Sequence, residues 1–197
     1  MSILALTSNT LVGTATAGNL EYNGQFFGTD SSAARAQMQR ITLGTAVAST
    51  SGTSIDFTSI PSWVKKITVM FSGVSTNGTS GILVRLGTSG GIVSTGYIST
   101  SVTVDSSGNS AGQTGTAGFN YYNDNAGYAH YGSMALSLED STNNIWVSNH
   151  VGRLSTTNLL SGGGGLTLAS VLTQVRITTI NGTDTFDAGS VNILYEG

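Results

Sequence analysis

The 197-residue chain has a net charge of −3, only 9% charged residues and no cysteine, which argues against nucleic-acid binding and excludes disulfides and cysteine-based metal sites. Ser, Thr and Gly contribute 27, 28 and 27 residues, yet 39% of the residues are hydrophobic, so the chain differs from a flexible Gly/Ser linker. So little charge predicts a surface that is largely covered by sister copies or by partners.

The first residues predict neither secretion nor membrane insertion. Residues 1–6 are mostly apolar, but this stretch is shorter than a signal peptide and no basic region precedes it. Nowhere does an apolar run approach the roughly 20 residues that a membrane-spanning helix needs. We therefore expect a protein that is made in the cytoplasm, without a signal peptide and without insertion into a membrane.

Residues 1–40 are expected to form an N-terminal extended arm with a small hairpin. Asn23-Gly24 favours a two-residue turn because both residue types accept positive φ, so the hairpin joins Leu20–Tyr22 to residues 25–29. We expect this segment to serve docking and oligomerisation through four apolar side chains, which are Leu20, Tyr22, Phe26 and Phe27.

The segment that follows the hairpin has the best helical propensity in the sequence. Residues 30–40 contain three alanines, two glutamines and two arginines, and Asp30 or Ser31 can cap the N-terminus of a helix. The pattern predicts a helix of about two turns at the boundary with the rest of the chain.

Residues 41–197 are expected to form one β-sandwich head domain. Apolar and polar residues alternate here, as in residues 67–72, and turn signals separate the alternating runs. We interpret the Gly162–Gly165 run as a flexible loop. The predicted strands are 41–48, 54–57, 64–74, 81–86, 92–98, 101–104, 118–122, 131–138, 144–149, 165–168, 172–179 and 190–195. Many short strands without intervening helices favour an all-β, jelly-roll-like antiparallel β-sandwich.

Two segments resemble parts of bacteriophage tail-fibre-like proteins and other virion appendages. Residues 18–29, with the sequence GNLEYNGQFFGT, resemble a segment that often precedes the terminal domains of phage tail proteins. Residues 174–196, which include NGTDTFDAGSVNILYE, resemble the last hairpin of many such proteins. The resemblance implies a homotrimer with a β-sandwich tip, a location in the virion, and partners among other phage virion proteins of the tail or capsid.

Two roles in a virion remain open at this stage. Fibres normally carry a long repetitive shaft, whereas about 17 residues precede the first of these segments. The chain is therefore expected to be either a short tail-fibre-like appendage that recognises a host-surface polysaccharide, or a capsid decoration (cement or head-fibre) protein. In the second role, the arm would invade a neighbouring subunit by strand addition.

The richest cluster of aromatic and polar residues lies between Phe119 and Tyr131. One interpretation is glycan or partner contact, because flat aromatic faces cover sugar CH groups while Asn, Asp and Tyr hydrogen-bond the hydroxyls. The other is a hairpin of 119–122 with 131–138 that places half of the rings in the core. The candidate contact residues are Tyr121, Tyr122, Asn123, Asp124, Asn125, Tyr128 and Tyr131.

The sequence predicts no enzymatic activity. Glu139 and Asp140 are adjacent, so on a strand they point to opposite faces and cannot flank one glycosidic bond; a solvated turn is expected instead. No nucleophile elbow and no phosphate-binding loop is present in the sequence. His130 and His150 are expected to be ordinary strand-end residues, since no cysteine or tight carboxylate group lies near them.

The C-terminal motif is expected to have a structural role. Asp184 and Asp187 suit a turn-rich loop in which their carboxylates accept bonds from nearby backbone N–H groups, rather than a Ca²⁺ site. Phe186 is expected to anchor the loop to the sandwich, and Gly189 to permit a bulge or a positive φ. No metal and no cofactor is expected.

Overall fold

The computed structural model describes residues 14, 16–23, 25–154 and 156–197. The turn residue Gly24 and most of the expected extended arm lie outside the described residues. The chain divides into two units, residues 1–40 and 41–197. The described residues form strands and no helix, and every strand pair is antiparallel. The predicted all-β, antiparallel class is therefore confirmed.

The first unit is a three-stranded sheet in the order β1-β2-β3. Its strands are β1 (Leu20–Tyr22), β2 (Phe26–Thr29) and β3 (Arg35–Gln37). The expected hairpin is present, since β1 pairs with β2. The Arg35 guanidinium reaches across β2 to the Glu21 carboxylate at 2.6 Å, which ties the two outer strands together.

The helix predicted over residues 30–40 is wrong. The Asp30 carboxylate accepts hydrogen bonds from the backbone N–H groups of Ser32 and Ala34, and Ala33 has a φ of 61°. A left-handed residue ends any helical path, so the Asp30 side chain organises a tight turn instead. Local hydrogen bonding by Asp thus overrides the helical propensity of the alanines that follow.

The second unit contains fourteen strands. They are β4 (Ile41–Leu43), β5 (Val47–Ala48), β6 (Ser54–Phe57), β7 (Lys66–Thr76), β8 (Ile82–Thr88), β9 (Gly91–Ile92), β10 (Ile98–Val104), β11 (Ser110–Gly115), β12 (Phe119–Tyr121), β13 (His130–Asp140), β14 (Ile145–Leu154), β15 (Asn158–Thr167), β16 (Gln174–Thr179) and β17 (Phe186–Glu196).

These strands build two sheets. The large sheet has nine strands in the order β11-β10-β15-β14-β13-β7-β17-β4, with β5 also paired to β17. The small sheet has the order β12-β8-β16-β6, with β9 paired to β8. A sandwich-like arrangement follows, because side chains from both sheets share one hydrophobic core; for example, the ring of Phe71 in β7 stacks on that of Tyr121 in β12 at 4.5 Å. The jelly-roll pattern of connections stays a prediction.

The Gly162–Gly165 run forms the middle of strand β15. The flexible loop predicted for it is therefore wrong. The run is paired on one side with β10 and on the other with β14. Gly162 and Gly164 face the core: a Cβ on Gly162 would clash with the Thr100 carbonyl and the His150 ring, and one on Gly164 would clash with the Ile98 carbonyl and press on the Phe119 ring. These glycines are needed because carbonyls of β10 and buried rings occupy the space of their missing side chains.

Other differences from the predicted strands have local causes. Residues 93–97 leave the sheet between β9 and β10, where the Tyr97 hydroxyl receives a hydrogen bond from the backbone N–H of Leu86 at 2.7 Å. Strand β11 escaped prediction because its sequence, SAGQTG, has no large apolar residue. It is an edge strand with mostly exposed side chains, so burial does not require the usual alternation.

Gly162→Ala should destabilise the fold by about 2 kcal/mol or more, because overpacking of a closed core displaces backbone and side chains. Gly165→Ala is the matched control, since a Cβ there would meet only the Trp146 carbonyl oxygen at 3.8 Å; its effect should stay within about 0.5 kcal/mol. Urea denaturation of both variants measures the difference. Equal stability of the two would contradict the packing of β15 described above.

Candidate functional site

The candidate site is the segment 121–131, which leads from β12 in the small sheet to β13 in the large sheet. The expected hairpin of 119–122 with 131–138 is wrong, because β12 pairs with β8 whereas β13 pairs with β7 and β14. The segment therefore crosses from one sheet to the other. This crossing separates its residues into a buried part and a surface part.

Tyr121, Tyr122 and Asn123 form the buried part. Asn123 anchors the segment: its side-chain NH₂ donates to the carbonyls of Gly78 and Ser80 at 3.4 Å each, and its side-chain oxygen lies 3.2 Å from His130 Nε2. These three residues position the crossing and are too deeply buried to offer their side chains to a ligand.

Asp124, Asn125, Tyr128 and Tyr131 remain at the surface of the same segment. Asp124 and Asn125 are exposed, and Tyr128 is half-buried against the core. The Tyr122 hydroxyl donates a 2.7 Å hydrogen bond to Asp124. Burial, reinforced by this carboxylate, raises the pKa of Tyr122 to about 12, so the hydroxyl stays a donor and fixes the orientation of Asp124.

The Tyr131 phenol ring lies against the backbone of β7 and leaves 49% of the residue exposed. A Cβ on Gly73 would meet the Tyr131 hydroxyl at 3.2 Å and the ring at 3.5 Å. Gly73 has a φ of 66°, at the irregularity where the register between β7 and β13 shifts. The missing side chain at Gly73 thus creates the space in which the tyrosine ring rests, with its remaining surface turned to solvent.

Two buried histidines lie behind this surface and flank Tyr121, with ring centroids 5.4 Å and 5.0 Å away for His130 and His150. Burial lowers the pKa of each to about 4, so both are neutral at pH 7. His150 Nε2 lies 3.0 Å from the Ser101 hydroxyl. His130 begins β13, as the expectation of a strand-end residue requires, but for His150 that expectation is wrong because it lies in the middle of β14.

Of the C-terminal motif, Asp184 lies in a structural loop, whereas Asp187, expected in the same loop, lies in strand β17 and accepts a hydrogen bond from the Ser75 hydroxyl. Asp184 accepts hydrogen bonds from the backbone N–H of Ser80 at 3.0 Å and from the side chain of Asn181 at 2.6 Å. Phe186 is buried, and Gly189 has a φ of 88° beside a bulge in β17, which confirms the expected anchor and bulge. Nowhere in the described parts of the chain do three His, Cys, Asp or Glu residues gather as a metal site would require.

The expected docking residues of the first unit are partly exposed. Leu20 and Phe26 are exposed, whereas Tyr22 and Phe27 are half-buried. The rings of Tyr22 and Phe26 are 4.9 Å apart and face one another across the hairpin register. Together they give this small sheet an apolar surface.

The sequence missed a second surface feature, the outward side of β14 and β15. In β14 the inward residues include Ser148 and His150, whereas Val147 and Val151 point outward and are exposed. This reverses the usual order of apolar inside and polar outside. The sequence IWVSNHVGRL of β14 has no regular alternation of apolar and polar residues, so it carries no signal for which face is buried.

No protein-family model matches the sequence, and comparisons with curated proteins and with solved structures found no match. In the part of the chain that the structure describes, no helix has the length and apolarity to cross a membrane.

The protein should lose stability as pH falls from about 6.5 to about 4. The histidine pKa values drop from 6.5 in the unfolded chain to about 4 in the fold. In this window the unfolded state binds more protons, so acid favours unfolding. Urea denaturation should show a loss of about 2 kcal/mol per histidine between pH 7.5 and pH 5.

The double variant His130→Gln, His150→Gln is the control and should show a much flatter dependence in the same window. The Asp30, Asp105 and Asp140 carboxyls do not interfere, because hydrogen bonds lower their pKa values below 3.8. A wild-type protein that is equally stable at pH 7.5 and pH 5 would contradict the assignment.

Proposed function

We propose that this protein is a non-enzymatic structural component of a bacteriophage particle, a short tail-fibre-like appendage that forms homotrimers and recognises a host-surface polysaccharide with its β-sandwich head. The virion assignment is supported by the resemblance of residues 18–29 and 174–196 to virion appendage proteins. The glycan assignment is supported by the surface part of segment 121–131.

The main support for the glycan proposal is the position of the Tyr131 ring at the surface. The ring lies against the backbone at Gly73, half of the residue is exposed, and the exposed Asp124 and Asn125 belong to the same segment. An exposed aromatic face and exposed carboxylate and amide groups are the group types that suit a sugar ring, which presents CH groups and hydroxyls together. Because Asn123 fixes the segment from inside, little conformational entropy is lost on binding.

Tyr131→Ala should weaken binding of the purified protein to host cell-surface polysaccharide by about 5- to 10-fold, the contribution expected of one aromatic contact. Tyr131→Phe is the matched control and should retain most of the binding, since the ring remains. Tyr128→Ala should also weaken binding. Tyr121→Ala is not informative, because that residue is fully buried and its loss would damage the core.

Binding is measured by titrating labelled protein onto host cells and onto their isolated polysaccharide, with the fold of each variant checked by circular dichroism. If Tyr131→Ala and Tyr128→Ala both bind as the wild type does, the glycan assignment is wrong. The glycan assignment is also wrong if the wild-type protein binds no preparation of the host envelope.

A second candidate is a capsid decoration protein, and the first unit favours it. Leu20, Phe26 and Met38 are all exposed in a unit of three short strands. Such an apolar surface on a small sheet suits docking to another protein, including strand addition at a sheet edge. In this role the first unit would attach the head domain to the capsid lattice.

Deletion of residues 1–40 should leave a folded head domain that no longer incorporates into particles, because the core of 41–197 is self-contained. Incorporation is measured by complementing a phage that lacks the gene, with Leu20→Ser plus Phe26→Ser in the full chain as the finer variant. Normal incorporation of the truncated protein would contradict a docking role. A reconstruction of the native virion separates the two candidates by showing the chain at tail projections or across the capsid.

A further inference from the structure

We infer that copies of this chain meet through the outer face of the large sheet, where a glycine-floored groove on one copy receives a valine ridge of another. The inference goes beyond the homotrimer of the proposed function: it adds a two-fold contact between copies and rests on no part of that proposal. It requires neither a glycan nor a phage.

The register of three strands defines the groove. In β15 the outward residues include Ser161, Gly163 and Gly165, since Gly162 and Gly164 face the core. Gly165 pairs with Val147 of β14 on one side and with Ile98 of β10 on the other. The floor of the groove is therefore nearly bare backbone.

The walls of the groove are apolar at both ends and polar in the middle, where Thr100 and Asn149 pair with Gly163. Ser161 pairs with Val151 of β14 and with Val102 of β10, so valines stand on both sides of it. Ile98 is 80% exposed and Val151 57% exposed. Because adjacent strands lie about 4.8 Å apart, the two walls are about 10 Å apart, which admits one row of side chains.

The ridge is part of the same face. Val147 and Val151 are four residues apart on β14, with the outward Asn149 between them, and they lie beside Gly165 and Ser161 of β15. A surface that carries a ridge next to a groove of matching width is complementary to itself, as a two-fold contact between identical subunits requires. One copy can thus place its valine row between the walls of its neighbour.

The size of the face agrees with an interface between subunits. Seven gaps of about 4.8 Å separate the eight strands from β11 to β4, and six steps of about 3.3 Å connect the seven residues of β10, giving about 700 Å². A stable interface buries about 800 Å² on each partner. Ile41, Leu43, Ile98, Val147 and Val151 are exposed on this face. Tyr131, in register with Arg153, lies at one end of the same face, outside the rows that form the groove.

Charge on the face favours a neutral partner. Lys66 and Glu196 pair with each other at 2.9 Å, and their strands place them in register on the outer side. Arg153 is a further charged residue on this side, opposite Leu159. A partner rich in charge would find few groups to bind, whereas a second copy of this weakly charged, hydroxyl-rich and valine-rich face matches it.

The first test measures assembly of the full chain by sedimentation equilibrium. The wild type should sediment as an oligomer, and Val151→Glu should raise the dissociation constant on the order of 100-fold, because a buried unpaired carboxylate is costly. Val171→Glu is the matched control, since Val171 is 50% exposed outside the large sheet, and it should assemble as the wild type does.

Gly165→Val fills the groove without changing the core, because a Cβ there has ordinary contacts only. It should weaken assembly while the circular dichroism spectrum and the resistance of the dissociated chain to urea are retained. This variant keeps the inference testable even if Val151→Glu fails to fold. A monomeric wild type, or unchanged assembly of both variants, would overturn the inference.

The second test exploits the absence of cysteine from the chain. A single thiol introduced as Val151→Cys should react with a maleimide at least tenfold more slowly in the oligomer than after dilution to monomers, whereas Val171→Cys should react equally fast in both. Equal reactivity of the Val151→Cys thiol in both states, in a protein that does assemble, would show that copies meet elsewhere. Neither test involves glycan or virions, so their failure is distinct from failure of the proposed recognition function.

Discussion

The close packing of the two sheets depends on glycines in β14 and β15, which leave room for aromatic rings. Gly152 and Gly164 face inward from β14 and β15, and a Cβ at these positions would strike the Tyr121 hydroxyl and press on the Phe119 ring, both of which belong to β12 of the small sheet. The rings fill the space above the bare backbone, so the sheets come close enough to enclose them. Close packing of this kind is sensitive to a single added methyl group, which makes the inward glycines as important to the core as its large residues.

The rings that this arrangement encloses are unusually polar for a core. Tyr121 Oη and the Nδ1 atoms of His130 and His150 are buried and have no hydrogen-bond partner among the described residues. Each such group costs about 1–3 kcal/mol, and the surrounding apolar core offsets that cost. In return, the polar layer holds Asn123 and Ser101, which fix the start of the crossing segment from β12 to β13. The buried polar layer thus lowers the stability of the fold, and it also fixes the position of the surface residues that follow in the crossing segment.

The sequence predicted the all-β class, the first hairpin and most strands, because turn residues and period-two alternation are local signals. It could not predict which face of β14 is buried, since His150 points inward to Ser101 and Tyr121, which are distant in sequence. Gly162–Gly165 looked like a loop because its partners in β10 and β14 are distant in sequence. The composition of residues 119–131 identified the aromatic cluster as a candidate site. It could not show that Tyr121 is buried and Tyr131 exposed, because that difference follows from the crossing between the two sheets.

Strand β17 lies between β7 on one side and β4 and β5 on the other. Leu194 pairs with both Thr68 and Leu43. The early strands β4 and β7 therefore cannot complete their pairing until β17, the last strand, is present. Such long-range pairing slows folding to the range of about milliseconds to seconds. On the ribosome, β7 has an open edge until β17 emerges, and a strand from a neighbouring nascent chain finds the same edge. The order of synthesis therefore gives sister chains an opportunity to meet before each domain has closed.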